Sequence, residues 1–152
     1  MATDKIYRGI GMTRLDNLYQ LAEDEDIDIY AFPLPLSGSV STMDTNGTCY
    51  IGIDPFALDT YADETVRLAH ELGHCMTGSF YNIYSSCDIR ARHERKAKKW
   101  AIKKLVPKDE LKDAVESGLT ELWELSEYFD LPAAFMAEVI EYYHEQSQER
   151  SI

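Results

Sequence analysis

The feature that most constrains this chain is the pattern His-Glu-x-x-His at residues 70–74. In an α-helix, residues four apart lie on one face, about 6 Å apart along the axis, so His70 and His74 can point at one metal ion. Two neutral imidazoles suit Zn²⁺, which binds ring nitrogens at about 2.0–2.1 Å. Glu71 lies about 100° around the helix from His70, where its carboxylate could act as a general base without binding the metal. The pattern predicts a helix that carries a zinc site.

The composition is that of a globular protein. The chain has 152 residues, of which 45% are hydrophobic and 28% charged, and this is enough for one domain with a sizeable core. No apolar run approaches the roughly 18 residues that a transmembrane helix needs. The N-terminal residues lead into no apolar signal core. We therefore expect a single domain over residues 1–152 that stays in the cytoplasm and does not enter a membrane.

The cysteines point to the same compartment. Cys49, Cys75 and Cys87 are odd in number and scattered along the chain, which does not match a disulfide framework. We expect all three to be reduced thiols in a reducing compartment.

The charge balance argues against nucleic acid as a partner. There are 27 acidic and 15 basic residues, with a formal net charge of −12, so neutralisation of phosphates is disfavoured. Eight of the basic residues lie within residues 90–104. Such a run on a helix is typical of a solvated face. The alternative is a basic rim that orients an acidic partner segment.

Capping and turn signals predict the elements that precede the zinc motif. Thr13 is a good N-cap, and Asn46-Gly47 is a strong signal for a tight turn between two strands. The predicted elements are a helix over 13–24 and strands over 27–32, 40–44 and 48–53. The helix with the zinc motif is expected to begin at Asp59 or Thr60 and to end at about Thr77, with Gly78 just beyond it.

The remainder of the chain is predicted to be helical. A polar and aromatic loop over 79–88 leads into a helix over 89–105. Three more helices are expected, one starting at Pro107 and closed by Gly118, one capped by Thr120, and one running to about Glu145. The last two resemble a helix-turn-helix, but their acidic surface argues against DNA binding.

The fold class predicted from this order is α+β. An N-terminal helix and a short three-stranded sheet occupy residues 1–58, the metal-site helices residues 59–106, and a C-terminal helical bundle residues 107–152. This is the order of elements in a small zincin-like domain.

A catalytic zinc site needs a third protein ligand and one open position. Glu94 is the best candidate, because it lies 20 residues after His74 and faces the same side as alanines that allow close packing. His93 is adjacent but points about 100° away, and Asp88 is a third possibility. The simpler interpretation of Glu94 is a salt bridge to Lys98 in its own helix, worth only about 0.3–0.5 kcal/mol.

Several segments, taken in order, resemble one known family. They are Ile51-Gly52-Ile53-Asp54, the stretch Leu68 to His74, the helix with Glu94, Ala97, Trp100 and Ala101, the following Leu105-Val106-Pro107, and the stretch Glu124 to Pro132. The combination is similar to the ImmA/IrrE family of metallo-endopeptidases and covers nearly the whole chain. Trp100 stands where the family usually has Phe, which alters packing more than chemistry.

The resemblance implies a ligand set and a reaction. It implies that His70, His74 and Glu94 bind zinc and that Glu71 is the catalytic base. It also implies a protein substrate, since members encoded on phages and mobile elements cleave or antagonise a helix-turn-helix transcriptional repressor. The expected function is that of a zinc-dependent metallo-endopeptidase acting on such a repressor, as an anti-repressor.

Details of the reaction stay open at this level. Tyr81, Tyr84 and His93 are candidate donors to the oxyanion, and a substrate segment could add to the strand at 49–53. Two other functions compete with proteolysis. The protein could hold zinc and sequester a repressor without cutting it, or it could be a structural helical protein with an accidental motif.

Overall fold

A computed structural model describes residues 11–151 and has an α+β fold, as the sequence predicts. The prediction about an N-terminal signal segment concerns residues that lie largely outside the described part. In chain order the elements are α1 (Arg14–Asp24), β1 (Asp28–Ala31), β2 (Ser39–Met43), β3 (Cys49–Ile53), α2 (Tyr61–Thr77), α3 (Cys87–Leu105), α4 (Lys108–Glu116), α5 (Leu122–Phe129) and α6 (Ala133–Glu149). Among the described residues, no helix combines the length and the apolar character needed to cross a membrane.

The three strands form one sheet in the order β1-β3-β2. β1 runs parallel to β3, and β2 runs antiparallel to it, which confirms the predicted hairpin. The carboxylate of Asp44 accepts the backbone N–H groups of Asn46 and Thr48, both at 2.9 Å. Gly47 has a φ of 85°, a left-handed conformation that glycine adopts at no steric cost. These contacts close the turn.

The strand at 49–53 is the central strand of the sheet. The prediction that a substrate segment adds to it is therefore wrong, because β3 already has a partner on both edges. Among the described residues β2 is an edge strand instead.

The helix with the His-Glu-x-x-His pattern, α2, lies at the centre of the core. Leu68, Ala69 and Leu72 are fully buried, as is Ile51 of β3. The helix packs on the sheet, on α1 and most extensively on α3. Burial on these sides places a helix with acidic residues and two histidines inside the protein.

Several helix ends are shifted from their predicted positions. Thr13 and Thr60 cap α1 and α2 as predicted, and Gly78 ends α2 with a φ of 63°. However, α3 begins two residues early because Ser86 caps it, Pro107 is the N-cap of α4 instead of its first residue, and Glu121 replaces Thr120 as the cap of α5. The last helix continues to Glu149. Helix termini fray and their boundaries vary by one or two residues, which covers the shifts of α3, α4 and α5, whereas the end of α6 lies four residues beyond its predicted position.

The cysteine prediction is wrong for two of the three thiols. Cys49 and Cys75 form a disulfide bond with a Cα–Cα distance of 5.9 Å, whereas Cys87 is free and exposed. The two partners are 26 positions apart in the chain. They meet because β3 packs against α2, which the scatter of the cysteines in the sequence did not reveal.

Candidate metal centre

Helices α2 and α3 bring three potential ligands together. Nε2 of His70 lies 2.8 Å from Oε2 of Glu94, and Nε2 of His74 lies 3.3 Å from Oε1 of the same carboxylate. The two Nε2 atoms are 3.2 Å apart. Ligand atoms bound to a tetrahedral Zn²⁺ at about 2.0–2.1 Å lie about 3.3 Å from one another. The cluster therefore has separations compatible with a bound metal ion.

The orientation of His74 also suits a ligand. Its Nδ1 donates a hydrogen bond to the backbone carbonyl of Ser79 at 2.5 Å. A carbonyl oxygen only accepts, so Nδ1 carries the proton and Nε2 presents its lone pair to the cluster. Metal-binding histidines in proteins commonly have a second hydrogen bond of this kind. The left-handed turn at Gly78 returns the chain so that Ser79 can accept it.

Glu94 is held in its charged form. Burial opposes ionisation, but a hydrogen bond from Tyr81, together with the attraction of the two histidines when they are protonated, outweighs it, so the pKa of Glu94 is lowered. The Tyr81 hydroxyl donates to Oε1 at 2.5 Å. This bond and partial burial raise the pKa of Tyr81 to about 12. A carboxylate that is ionised at neutral pH is the form that binds a metal.

The glutamate of the motif, Glu71, faces a different partner. It is a buried residue, only 6% exposed. Its Oε1 accepts a hydrogen bond of 2.8 Å from the hydroxyl of Ser39, which is also 6% exposed. Ser39 lies on β2, 32 positions earlier in the chain. Ser39 lies one residue before the strand predicted over 40–44, and nothing in its sequence context indicated this contact.

The remaining candidate residues do not join the cluster. His93 packs its ring against that of Tyr81, Asp88 lies in the exposed first turn of α3, and Tyr84 is 89% exposed. Within residues 11–151, the one group of three or more metal-binding side chains with ligand atoms within 4.8 Å of one another is His70, His74 and Glu94.

The simpler interpretation of Glu94 is not what the structure shows. Lys98 pairs with Glu138 of α6 at 3.1 Å, so the cation one turn along α3 is directed away from the cluster. Glu94 faces the two histidines instead. Of the three ligands considered from the sequence, the packing of α2 on α3 selects this one.

Comparisons of the chain with protein-family models, with curated proteins and with solved structures gave no match.

Proposed function

We propose that this protein is a zinc-dependent metallo-endopeptidase. The observation that carries the proposal is the cluster of His70, His74 and Glu94, in which the third side chain comes from the next helix at ligand spacing. The hydrogen bond that orients His74 supports a metal site further, because an adventitious cluster has no need of it. Three protein ligands leave a fourth position open, as catalytic zinc sites do.

The chemistry assigned to the site is hydrolysis of a peptide bond. Bound zinc would supply Lewis acidity, which lowers the pKa of a coordinated water toward about 7 and polarises a carbonyl. Glu71, one residue after a ligand, would accept the proton of the attacking water on its carboxylate and return it to the leaving amine. General acid–base help of this kind contributes about 10²–10⁴-fold to a rate.

Tyr81 is the donor that the site offers to the oxyanion. Among the three candidates from the sequence, its hydroxyl is the one that contacts a ligand of the cluster. It is 42% exposed, so the ring has room to turn from Glu94 toward a bound substrate. A donor placed at the developing charge stabilises it most when water is excluded.

An extended substrate segment would pair with β2. That strand lies at the edge of the sheet, and its first residue already contacts Glu71. Pairing there would bring the backbone of the segment close to the general base by strand addition.

The proposed substrate is a helix-turn-helix transcriptional repressor of a phage or mobile element, which makes the protein an anti-repressor. The support is the resemblance of ordered segments to the ImmA/IrrE family, together with a net charge of −12 that disfavours direct binding to DNA. Such a substrate would place the reaction in the cytoplasm.

The first experiment measures metal content by inductively coupled plasma mass spectrometry after loading with zinc. We expect about one zinc per chain in the wild type, a large loss in Glu94→Ala, and no loss in the matched control Glu138→Ala, whose carboxylate pairs with Lys98 on another surface. Wild-type protein that takes up no zinc would contradict the proposal.

The second experiment separates cleavage from capture. Zinc-loaded wild type and Glu71→Gln are incubated with a candidate repressor, and fragments are sought by mass spectrometry. We expect fragments from the wild type only, with zinc retained in the variant. A variant that still relieves repression in cells would favour the alternative function, in which a zinc-containing protein sequesters the repressor without cutting it.

A further inference from the structure

Ser39 faces the interior of the protein from an edge strand. It pairs with Ile53 across the antiparallel ladder of β2 and β3, and neighbours in register point to the same face of a sheet. Ile53 is 3% exposed. The side chain of Ser39 therefore points toward α2 and not toward solvent.

The backbone next to Ser39 is anchored by the loop that follows β3. The N–H of Asp54 donates to the carbonyl of Gly38 at 2.8 Å. The carboxylate of Asp54 accepts the N–H of Leu34 at 2.8 Å and that of Phe56 at 2.9 Å. These bonds hold the entry to β2, so the Ser39 hydroxyl occupies a defined position and is not a mobile surface group.

That hydroxyl donates to Oε1 of Glu71 at 2.8 Å, and both residues are buried. A glutamate side chain has several torsions, and one buried hydrogen bond removes much of that freedom. Engaging Oε1 leaves the second oxygen of the carboxylate to take a proton. Small displacements of a catalytic group cost large factors in rate.

We propose that Ser39 is a positioning residue that holds the carboxylate of Glu71 in its working orientation. The inference rests on the proposed peptidase function. It assigns a role to a residue of β2, the strand on which the substrate segment would pair. In this role Ser39 acts through its hydrogen bond to Glu71 and is not itself a catalytic residue.

The opposing interpretation is that the hydroxyl only satisfies a buried carboxylate. Three variants separate the two. Ser39→Ala removes the hydroxyl, Ser39→Thr keeps a hydroxyl on a residue type that strands favour, and Ser41→Ala is the matched control. Ser41 lies two positions along β2 on the same face, paired with Ile51. Glu71→Gln and the double variant Ser39→Ala/Glu71→Gln complete a double-mutant cycle.

The readout that does not depend on turnover is the visible absorption spectrum of the protein loaded with Co²⁺ alone. The spectrum reports the surroundings of the open coordination position, which Glu71 faces in the proposed reaction. We expect Ser39→Ala to shift it toward the spectrum of Glu71→Gln, with Co²⁺ affinity within about twofold of wild type because no ligand changes. Ser39→Thr and Ser41→Ala should match the wild type, and the double variant should match Glu71→Gln.

With any substrate that the wild type cleaves, kcat of Ser39→Ala should fall by about tenfold to a hundredfold, while KM changes by less than about threefold. Thermal melting of each metal-free variant shows whether it folds. If the extra methyl of Ser39→Thr prevents folding, the double-mutant cycle of Ser39→Ala and Glu71→Gln still tests the inference, because it does not include that variant.

Two negative results have different meanings. A Ser39→Ala spectrum that superimposes on that of the wild type would overturn this inference and leave the peptidase proposal intact. Wild-type protein that binds neither Co²⁺ nor zinc would overturn the proposed function, and the inference with it.

Discussion

Gly73 of α2 lies directly against the backbone of Ala97 in α3. A Cβ placed on Gly73 would be 2.5 Å from the carbonyl oxygen of Ala97 and 3.0 Å from its Cα. Gly73 adjoins His74, and Ala97 lies one turn beyond Glu94. The glycine within the motif therefore sets how closely the two helices that carry the candidate ligands approach.

Gly73→Ala should weaken both the fold and the metal site. Alanine favours a helix by about 1 kcal/mol over glycine, but overpacking against a backbone atom costs typically about 1–3 kcal/mol, and here neither backbone can swing aside. We expect a lower melting temperature and zinc binding weakened by about tenfold or more, measured by calorimetry and by competition with a chelator. Gly11→Ala is the control, since its Cβ would meet no described atom within 4 Å. A more stable variant with unchanged zinc affinity would contradict the role given to this contact.

Tyr81→Phe should retain zinc and lose turnover. Removal of one donor to an oxyanion costs about 10²–10³-fold in kcat in well-studied enzymes. We expect a loss near the lower end, about 10²-fold, because Tyr81 must first leave Glu94. The test is zinc content and steady-state kinetics on a cleaved substrate. Tyr84→Phe serves as the control because that ring is 89% exposed, and equal losses in the two variants would argue against a specific role.

Reduction of the disulfide between Cys49 and Cys75 should destabilise the zinc-free protein. A cross-link over a loop of this size, 26 positions, lowers the entropy of the unfolded chain by an amount worth about 3–4 kcal/mol. We expect urea unfolding with and without dithiothreitol to differ by about 3 kcal/mol in the free energy of unfolding.

Cys87→Ser should change that difference little, because Cys87 is free and exposed. The number of thiols alkylated in the urea-unfolded protein, counted by mass spectrometry, should be one before reduction and three after it. Three reactive thiols before reduction would show that the bond is absent in solution.

Asp54 should make stability depend on pH in acid. The backbone N–H of Leu34 lowers the pKa of its carboxyl, assisted by those of Phe56 and Ala57 and opposed by burial. A folded-state pKa below that of the unfolded chain gives stability that is complete at neutral pH and is lost as pH falls below about 4. The free energies of unfolding of wild type and Asp54→Asn, measured with urea, should therefore differ more at pH 7 than at pH 3. Asp59→Asn, on the exposed loop that follows, is the control. A difference in stability between wild type and Asp54→Asn that is larger at pH 3 than at pH 7 would contradict the prediction.

Much of the fold was predictable because its signals are local. The caps Thr13 and Thr60, the terminating Gly78 and the turn at Asn46-Gly47 each act within a few residues, and all are found where predicted. Helix ends were less predictable, as at Ser86, because helix termini fray and several neighbouring residue types can each serve as the cap.

For the candidate site, the sequence alone determined that His70 and His74 share one helix face, with Glu71 beside them, because helical geometry follows directly from the spacing of residues. Only the tertiary structure decided that Glu94, and not His93 or Asp88, completes the cluster. It alone showed that Ser39 reaches Glu71 and that Cys49 is bonded to Cys75. These contacts join residues 20 or more positions apart. They form only when whole helices and strands pack together, and the spacing of neighbouring residues in the sequence does not indicate that packing.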